Sequence, residues 1–330
     1  SVRRLHDGEK LEVVASDFGI SENPAKNPLP LYLNKVKLKA FAEEMQFTEQ
    51  IDKETCRQLA TSGLLLTDVT KESTVKYRVV EQEFISNDFY TNIDADNNQM
   101  LVSYDALKMG YGRVNATGSI SAGCLRREVR YTLFGPRYRD IDVDNCHPVM
   151  LRDVCLANNI AAPALQDYVE NRSKHLSDII ELFADDVLEK IRADNDDDSL
   201  RDKAKNIYIR VLYQGDPNWW LESMKKKGYL VEDAALPVHV VEMAKEMIAV
   251  TQVVKEKNPE LLAAIEKHKA PKIKKAEKKG STRSKEDIVN SSFMSFYLQE
   301  LERRVLEVVF VTLESAGYIV DNNAVLCFDG

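Results

Sequence analysis

The sequence predicts a mainly helical α/β protein that carries a few strands. Only 13 of its 330 residues are Gly and 10 are Pro, and long stretches are rich in the helix formers Ala, Leu, Glu, Lys and Gln. A hydrophobic content of 44% and a charged content of 30% allow a sizeable core and exclude disordered and fibrous proteins. Because single hydrophobic cores stop growing at roughly 250–300 residues, the length predicts two ordinary domains or one large core with a satellite.

The cysteine, histidine and charge patterns indicate the cellular compartment of the protein and the kinds of ligand that it could bind. The 5 Cys are odd in number and contain no C-x-x-C pair, which argues against a disulfide framework and indicates a reducing compartment. The 5 His show no metal-ligand spacing, so we expect any metal to be a hard, oxygen-bound ion. No apolar run approaches the ~18–20 residues of a membrane helix, so we expect a cytoplasmic protein, in the host cytoplasm if it is viral. The net charge of -8 gives no global footprint for nucleic acid.

Residues 1–105 are expected to form an N-terminal domain, to which the sequence assigns no role. Three prolines predict an extended arm over 16–31, and an apolar stripe predicts a helix from Asn34 to about Leu59, with another short helix after Asp52. Thr74 to Glu81 alternates, and Gln99 to Tyr104 is rich in strand formers. These two runs are therefore predicted strands.

Glycine and arginine are concentrated directly after this boundary. Gly110 to Ser121 is glycine-rich around Arg113, and Arg126 and Arg130 follow it. Glycine would let the backbone approach a ligand closely there. Arg137 to Val143 alternates as a strand, which places Asp140 and Asp142 on one face.

Helical patterns fill most of the remaining chain. They cover 146–158, 163–172 and 175–193, and an acidic run at 194–198 is expected to be a solvated linker. The capping box Ser199 to Asp202 predicts a helix from Leu200, on which cations and aromatic residues share a stripe.

Further helices are predicted over 236–257, 259–269 and from Asp287 to about Ser315. The Lys-rich segment from Lys267 to Lys285 is either a flexible solvated loop or a contact for a phosphate backbone. Ala324 to Phe328 is the last predicted strand, and Asp329 follows it.

Two strand-borne aspartates and a cationic helix match the needs of nucleotidyl transfer. Two Mg²⁺ ions about 3.5–4 Å apart neutralise the charge that accumulates at the phosphate, and Asp142 and Asp329 are candidates to hold them. Arg201 and Lys205 could contact the triphosphate, and Lys205 could protonate the leaving pyrophosphate. The incoming base would stack on side chains of the same stripe: Tyr208, Ile209 or Tyr213.

The order of these motifs resembles the superfamily that joins family A DNA polymerases and single-subunit phage-type RNA polymerases. Gly110 to Arg113 resembles the T-x-x-G-R element, and Asp142 to His147 lies where motif A does. Arg201 to Gly215 resembles motif B, R-x-x-x-K-x-x-x-F-x-x-x-Y-G, with one residue inserted before the Gly. Phe328-Asp329-Gly330 resembles the turn of motif C.

The resemblance implies a right-hand polymerase core with a small antiparallel palm sheet and a helical fingers insertion. Residues 106–152 would be palm with motif A, residues 153–315 fingers with motif B, and residues 316–330 the palm strand that ends at motif C.

The resemblance also assigns roles to individual residues. Asp142, Asp329 and the carbonyl of Val143 would bind two Mg²⁺ ions, with Lys205 as a further catalytic group. The implied nucleic-acid contacts are Arg113, Arg126 and Arg130. The implied nucleotide contacts are Arg201, Lys205, Tyr208, Ile209, Tyr213 and His147, and His147 lies where the DNA enzymes place the Glu that gates against ribose.

The function expected from this resemblance is template-directed addition of nucleoside monophosphates, taken from nucleoside triphosphates, to a 3′ end on a DNA template, by a polymerase of phage, viral or plasmid type. Motif C ends the sequence, so either the polypeptide continues or a second polypeptide completes the palm. The alternative is a non-catalytic, nucleic-acid-binding polymerase subunit that needs such a partner chain.

Overall fold

The computed structural model describes residues 46–63, 79–94, 96–106, 110–139, 141, 143–193, 197–278 and 284–326. Within these residues the chain is mostly helical and carries one antiparallel sheet of three strands, which confirms the predicted mainly helical α/β class. The chain divides into two compact units. The described part of the helical unit lies within Asn145–Leu301, and that of the sheet unit lies within 46–144 and 302–326. The right-hand architecture and the domain limits at 105, 152 and 315 stay predictions.

The sheet consists of β1 (Gln46–Gln50), β2 (Gln99–Ala106) and β3 (Val114–Ala116), in the order β1-β2-β3. Phe47 lies opposite Val102 in the first antiparallel pair, and Asp105 lies opposite Asn115 in the second. Alternate side chains of β1 and β2 are buried, as expected for a sheet with one face on a core. The predicted strand from Gln99 to Tyr104 is confirmed.

The core of the sheet unit forms where helices α1 (Lys53–Thr61) and α2 (Arg127–Phe134) and the π-helical turn Ile85–Phe89 contribute apolar side chains to the buried face of the sheet. Asp52 accepts hydrogen bonds from the first backbone N–H groups of α1, so the short helix predicted after Asp52 is confirmed. Phe47 is fully buried in this core, and its ring packs edge-on against Tyr104 at 5.4 Å and Phe310 at 5.5 Å.

The helical unit contains nine helices or helix segments in its described part. They are α3 (Cys146–Ala157), α4 (Pro163–Glu170), α5 (Arg172–Ile180), α6 (Asp185–Ala193), α7 (Asp197–Leu212), α8 (Pro217–Lys226), α9 (Val238–Lys257), α10 (Pro259–Lys278) and the first half of α11 (Lys285–Ser315). Helix α7 is central, because α5, α6, α8 and α9 all pack against it. Its buried side chains include Ala204, Ile207, Tyr208, Val211 and Leu212.

Two predicted strands are helical or irregular where the structure describes them. The predicted strand Thr74–Glu81 is helical at 79–81, and the helix continues to 84. Residues 74–78 lie outside the described residues. Residues 138–139, 141 and 143 of the Arg137–Val143 run have no regular structure, whereas 140 and 142 lie outside. Alternation alone does not make a strand, because a strand also needs a partner for its backbone hydrogen bonds.

Two further local predictions differ from the structure. The helix predicted from Asn34 to Leu59 is wrong at 46–50, which form β1, because pairing with β2 outweighs the local helical pattern. Residues 324–326 of the last predicted strand have no regular structure, and 327–330 lie outside the described part. Helix α7 begins at Asp197, before the predicted capping box.

Among the described helices, including the long α11, none combines the length and the apolar character that crossing a bilayer requires.

Candidate functional site

The arginines predicted to contact nucleic acid lie in the sheet unit, and two of them form ion pairs there. The guanidinium of Arg113 donates two hydrogen bonds to the carboxylate of Glu302, at 2.8 and 3.1 Å. Arg126 pairs with Glu81 at 2.6 Å and with Glu128 at 3.1 Å. Arg130 is half-buried on α2. The Arg113–Glu302 and Arg126–Glu81 pairs join parts of the sheet unit that are distant in sequence, which is a structural role.

The carboxylates predicted to bind Mg²⁺ are Asp142 and Asp329, and both lie outside the described residues. Val143, the third predicted ligand, is described, and its side chain is 39% exposed. The two-ion magnesium site therefore stays a prediction.

The residues of the motif B stripe differ in accessibility on α7. Arg201 is exposed, and Lys205 and Ile209 are half-buried. Tyr208 is 1% exposed, and the ring of Tyr168 stacks on it at 4.1 Å, so in this structure one face of Tyr208 is occupied by protein.

His147 and Tyr213 are brought together in the helical unit. His147 is buried at the start of α3, and its Nδ1 is hydrogen-bonded to the hydroxyl of Tyr213 just after α7. The two rings also pack edge-on, with their centres 5.8 Å apart.

A cluster of histidine, tyrosine and aspartate side chains lies where α4, α5, α7 and α9 meet. We call it the histidine cluster, and its members are Asp167 and Tyr168 on α4, His175 and Asp178 on α5, Tyr208 on α7 and His239 on α9. The rings of His175 and His239 are 4.2 Å apart. One ring nitrogen of each histidine and a carboxylate oxygen of Asp178 lie within 4.8 Å of one another.

Local helix geometry places these side chains side by side. His175 and Asp178 are three residues apart on α5, so they lie on the same face of the helix.

Helix α4 is anchored to α9 because Glu246 accepts hydrogen bonds from the backbone N–H groups of Ala164 at 2.8 Å and Leu165 at 2.9 Å. A carboxylate at a helix N-terminus is stabilised by the free N–H groups there.

Burial shifts the acid–base properties of the cluster. It lowers the pKa of His239, because burial disfavours the charged ring and His175 is close by. Burial also raises the pKa of Tyr208, mainly by desolvation. The Asn171 amide, which donates a hydrogen bond, contributes most to a lowered pKa of Asp167. At neutral pH these shifts favour a neutral His239, a protonated Tyr208 and an ionised Asp167.

The histidines have no metal-ligand spacing in the sequence, so the sequence does not predict this cluster. His175 and His239 lie on different helices that pack on α7, so their spacing in sequence carries no signal. The only local sign is the i, i+3 pair of His175 and Asp178, which is common on helix surfaces.

A second feature is a basic surface at the C-terminal half of α10. We call it the lysine surface, and its members are Lys267, Lys269, Lys272, Lys274, Lys275 and Lys278. All are exposed except Lys269, which is half-buried, with its Nζ 5.3 Å from the centre of the Phe296 ring. Burial lowers the pKa of Lys269. Among the residues that the structure describes, no ion pair joins a carboxylate to any of these six lysines.

The structure excludes a loop for the Lys-rich segment as far as residue 278, and the contact with a phosphate backbone stays a prediction. The segment is a helix there, since α10 continues to Lys278. Ile273 is 6% exposed and anchors this half of the helix. Residues 279–283, including Arg283, lie outside the described part.

Comparison with known proteins gives one informative match. The chain is 28% identical over 222 residues to "Putative helicase V13" of Sputnik virophage. The match covers 66% of this chain and 24% of the virophage protein, so the chain spans about a quarter of the length of this relative. No protein-family model and no solved structure matches the chain.

This match corrects the functional prediction. The relative is named as a helicase, and nothing in the comparisons points to a polymerase. The prediction of a template-directed nucleotidyltransferase, and its alternative of a polymerase subunit, are therefore wrong. The spacing of motif B is also met by any amphipathic helix, because residues three and four apart share one face, and Tyr208 of this pattern is a core residue here.

Proposed function

We propose that this chain is the nucleic-acid-binding part of a viral helicase-type protein and that its lysine surface on α10 contacts the phosphates of DNA. The observation that carries the proposal is the match to a virophage protein named as a helicase. An enzyme that separates strands must bind nucleic acid, and the expected DNA ligand of the sequence analysis agrees with this.

The local charge of α10 supports this helix as the part of the chain that contacts DNA. The whole chain has a net charge of -8, yet 267–278 contains six lysines and one acidic residue, Glu277. A local cluster of cations attracts phosphates even when the total charge is negative, because charges beyond about 8–10 Å are screened at physiological salt. The lysines project from a helix, so their spacing is fixed by the backbone and not by a mobile loop.

The proposal concerns nucleic-acid contact and not nucleotide hydrolysis by these residues. The printed sequence contains no G-x-x-x-x-G-K-[ST] run, the pattern with which many helicases hold the phosphates of a nucleoside triphosphate.

Charge removal on the lysine surface tests the proposal. In the triple variant Lys272→Gln, Lys274→Gln, Lys275→Gln, we expect the affinity for DNA to fall by about tenfold or more at physiological salt, and the slope of log K against log salt to become shallower by about 2 to 3 units, because each lost phosphate contact removes about 0.7–0.9. Fluorescence anisotropy with a labelled oligonucleotide, in single-stranded and duplex form, measures both quantities.

The matched control removes the same charge elsewhere on the helical unit. Lys225, Lys226 and Lys227 form another run of three lysines at the end of α8, and all three are changed to Gln. The control is expected to keep the wild-type affinity and slope within a factor of about two. Equal losses in both triple variants would mean that only total charge matters, and the α10 surface would then not be the site.

A further inference from the structure

We propose that His175, Asp178 and His239 form a binding site for a divalent first-row transition-metal ion, with Zn²⁺ as the representative ligand. This site is separate from the lysine surface and does not rest on the proposed DNA binding. Two imidazole nitrogens and one carboxylate oxygen, all within 4.8 Å of one another, are a ligand set typical of Zn²⁺, Fe²⁺ and Co²⁺.

The hydrogen bonds assign the free ring nitrogen of His175. Its Nε2 is 2.9 Å from a carboxylate oxygen of Asp167, which places the ring proton on Nε2. Its Nδ1 is buried and has no hydrogen-bond partner among the described residues. The His175 side chain is only 4% exposed, so this lone pair is shielded from water as well.

The same reasoning applies to His239. The hydroxyl of Tyr208 donates its hydrogen to the backbone carbonyl of His175 at 3.2 Å. Its oxygen is therefore the acceptor in the hydrogen bond that it also makes with Nε2 of His239, and this places the His239 ring proton on Nε2. This leaves the lone pair on Nδ1 of His239, which is 4.0 Å from Oδ2 of Asp178. Tyr208 and Asp167 thus orient the two rings from behind.

This arrangement has the form of a metal site with its outer partners in place. Metal-bound histidines generally donate their second ring N–H to a carboxylate, a carbonyl or another polar group, which fixes the ring orientation. Here Asp167 holds His175 and Tyr208 holds His239. Since one ring nitrogen of each histidine and one carboxylate oxygen lie within 4.8 Å of one another, a single divalent cation could be bound by all three.

The geometry allows an ion to enter with small movements. Ligand atoms on one tetrahedral Zn²⁺ lie about 3.4 Å apart, since each bond is about 2.0–2.1 Å. The three residues would have to close by about 1 Å, which side-chain rotation can supply. Asp178 is 35% exposed and His239 is 21% exposed, so the cluster opens to solvent on that side. The ion would join α5 to α9, and solvent would complete its coordination.

Metal titration of the apo chain tests the site. We expect wild-type protein, stripped with a chelator, to bind one equivalent of Co²⁺ at this cluster, with visible d–d absorption bands, and Zn²⁺ to displace it. Isothermal titration with Zn²⁺ and the rise in Tm on adding Zn²⁺ give independent readouts. The variants His239→Gln and Asp178→Asn should each weaken Zn²⁺ binding by about 10–100-fold or more and remove the rise in Tm.

The control variant is His268→Gln, which removes an exposed histidine of α10 that does not belong to the cluster. It should keep the wild-type metal affinity. The proposal is overturned if the wild-type chain binds neither ion, or if His268→Gln weakens binding as much as His239→Gln does. Because Asp178 is partly exposed, Asp178→Asn should fold even if His239→Gln does not, and unchanged affinity in Asp178→Asn would also overturn the site.

Discussion

Replacing Phe47 with Ala is expected to lower the free energy of unfolding of the sheet unit by about 3–5 kcal/mol, the usual loss when a large aromatic side chain is removed from a core. Phe47 is fully buried and is the side chain of β1 that packs against both Tyr104 on β2 and Phe310 on α11. The variant therefore loses buried apolar surface and two edge-on ring contacts, and it leaves a cavity between the sheet and the helix.

The control for this change lies on the opposite face of the same sheet. Leu101 is 60% exposed on β2, beside the pair formed by Phe47 and Val102, and Leu101→Ala should change stability by less than about 0.5 kcal/mol. Urea unfolding followed by circular dichroism measures both variants. If Phe47→Ala costs no more than Leu101→Ala, the sheet unit is not built around this aromatic cluster.

The buried carboxyl group of Glu49 should make the stability of the sheet unit depend on pH. Glu49 has no exposed surface, and burial raises its pKa from 4.5 to about 7, although hydrogen bonds from the Ala122 N–H and the Tyr104 hydroxyl act in the opposite direction. The folded state therefore holds a proton that the unfolded state releases between pH 4.5 and about 7.

The sign of the effect follows from this difference. The contribution of Glu49 is fully present below pH 4.5 and is lost as pH rises to about 7. Because one pKa unit corresponds to about 1.4 kcal/mol, the rise from 4.5 to about 7 corresponds to a loss of about 3–4 kcal/mol.

In Glu49→Gln we expect this pH-dependent loss to disappear, since the amide does not titrate. The control Glu83→Gln removes an exposed carboxyl group of the same unit and should keep the wild-type pH profile. Urea unfolding at several pH values between 4.5 and 8 measures the profiles. A wild-type profile that is flat over this range, or one that Glu49→Gln shares, would contradict the assignment.

Local patterns predicted those elements whose residues carry their own signal. Strand β2 combines strand-forming residues with alternation, and α3 and α9 have clear apolar stripes, so the predictions there agree with the structure. Strand β1 was missed because Gln46–Gln50 contains only one large apolar residue and pairs with a strand about fifty residues later. That pairing is a tertiary interaction, and no local pattern reveals it.

Helix α10 extends beyond its predicted end. A break after residue 269 was predicted, yet the helix continues through Pro271 to Lys278. Proline removes one backbone hydrogen bond, but Lys, Ala and Glu favour the helix and buried Ile273 anchors it. The lysine surface was therefore visible in the sequence as charge, whereas its helical geometry was not.

The candidate sites depend even more on tertiary structure. The histidine cluster arises because α5 and α9 both pack on α7, which brings His175 and His239 together. The motif-based roles of the α7 residues stay predictions, because a short spacing pattern on one helix fits both a substrate-binding face and a core face. In the case of Tyr208 the structure shows the core face.

The most direct test of DNA binding through α10 is lysine footprinting by acetylation and mass spectrometry, with and without saturating DNA. We expect DNA to slow the acetylation of Lys272, Lys274 and Lys275 by at least about threefold, because a phosphate contact buries the amino group, and to leave Lys226 and Lys227 unchanged. Equal acetylation rates on α10 in the presence and absence of bound DNA, or a chain that binds no DNA, would contradict the proposal.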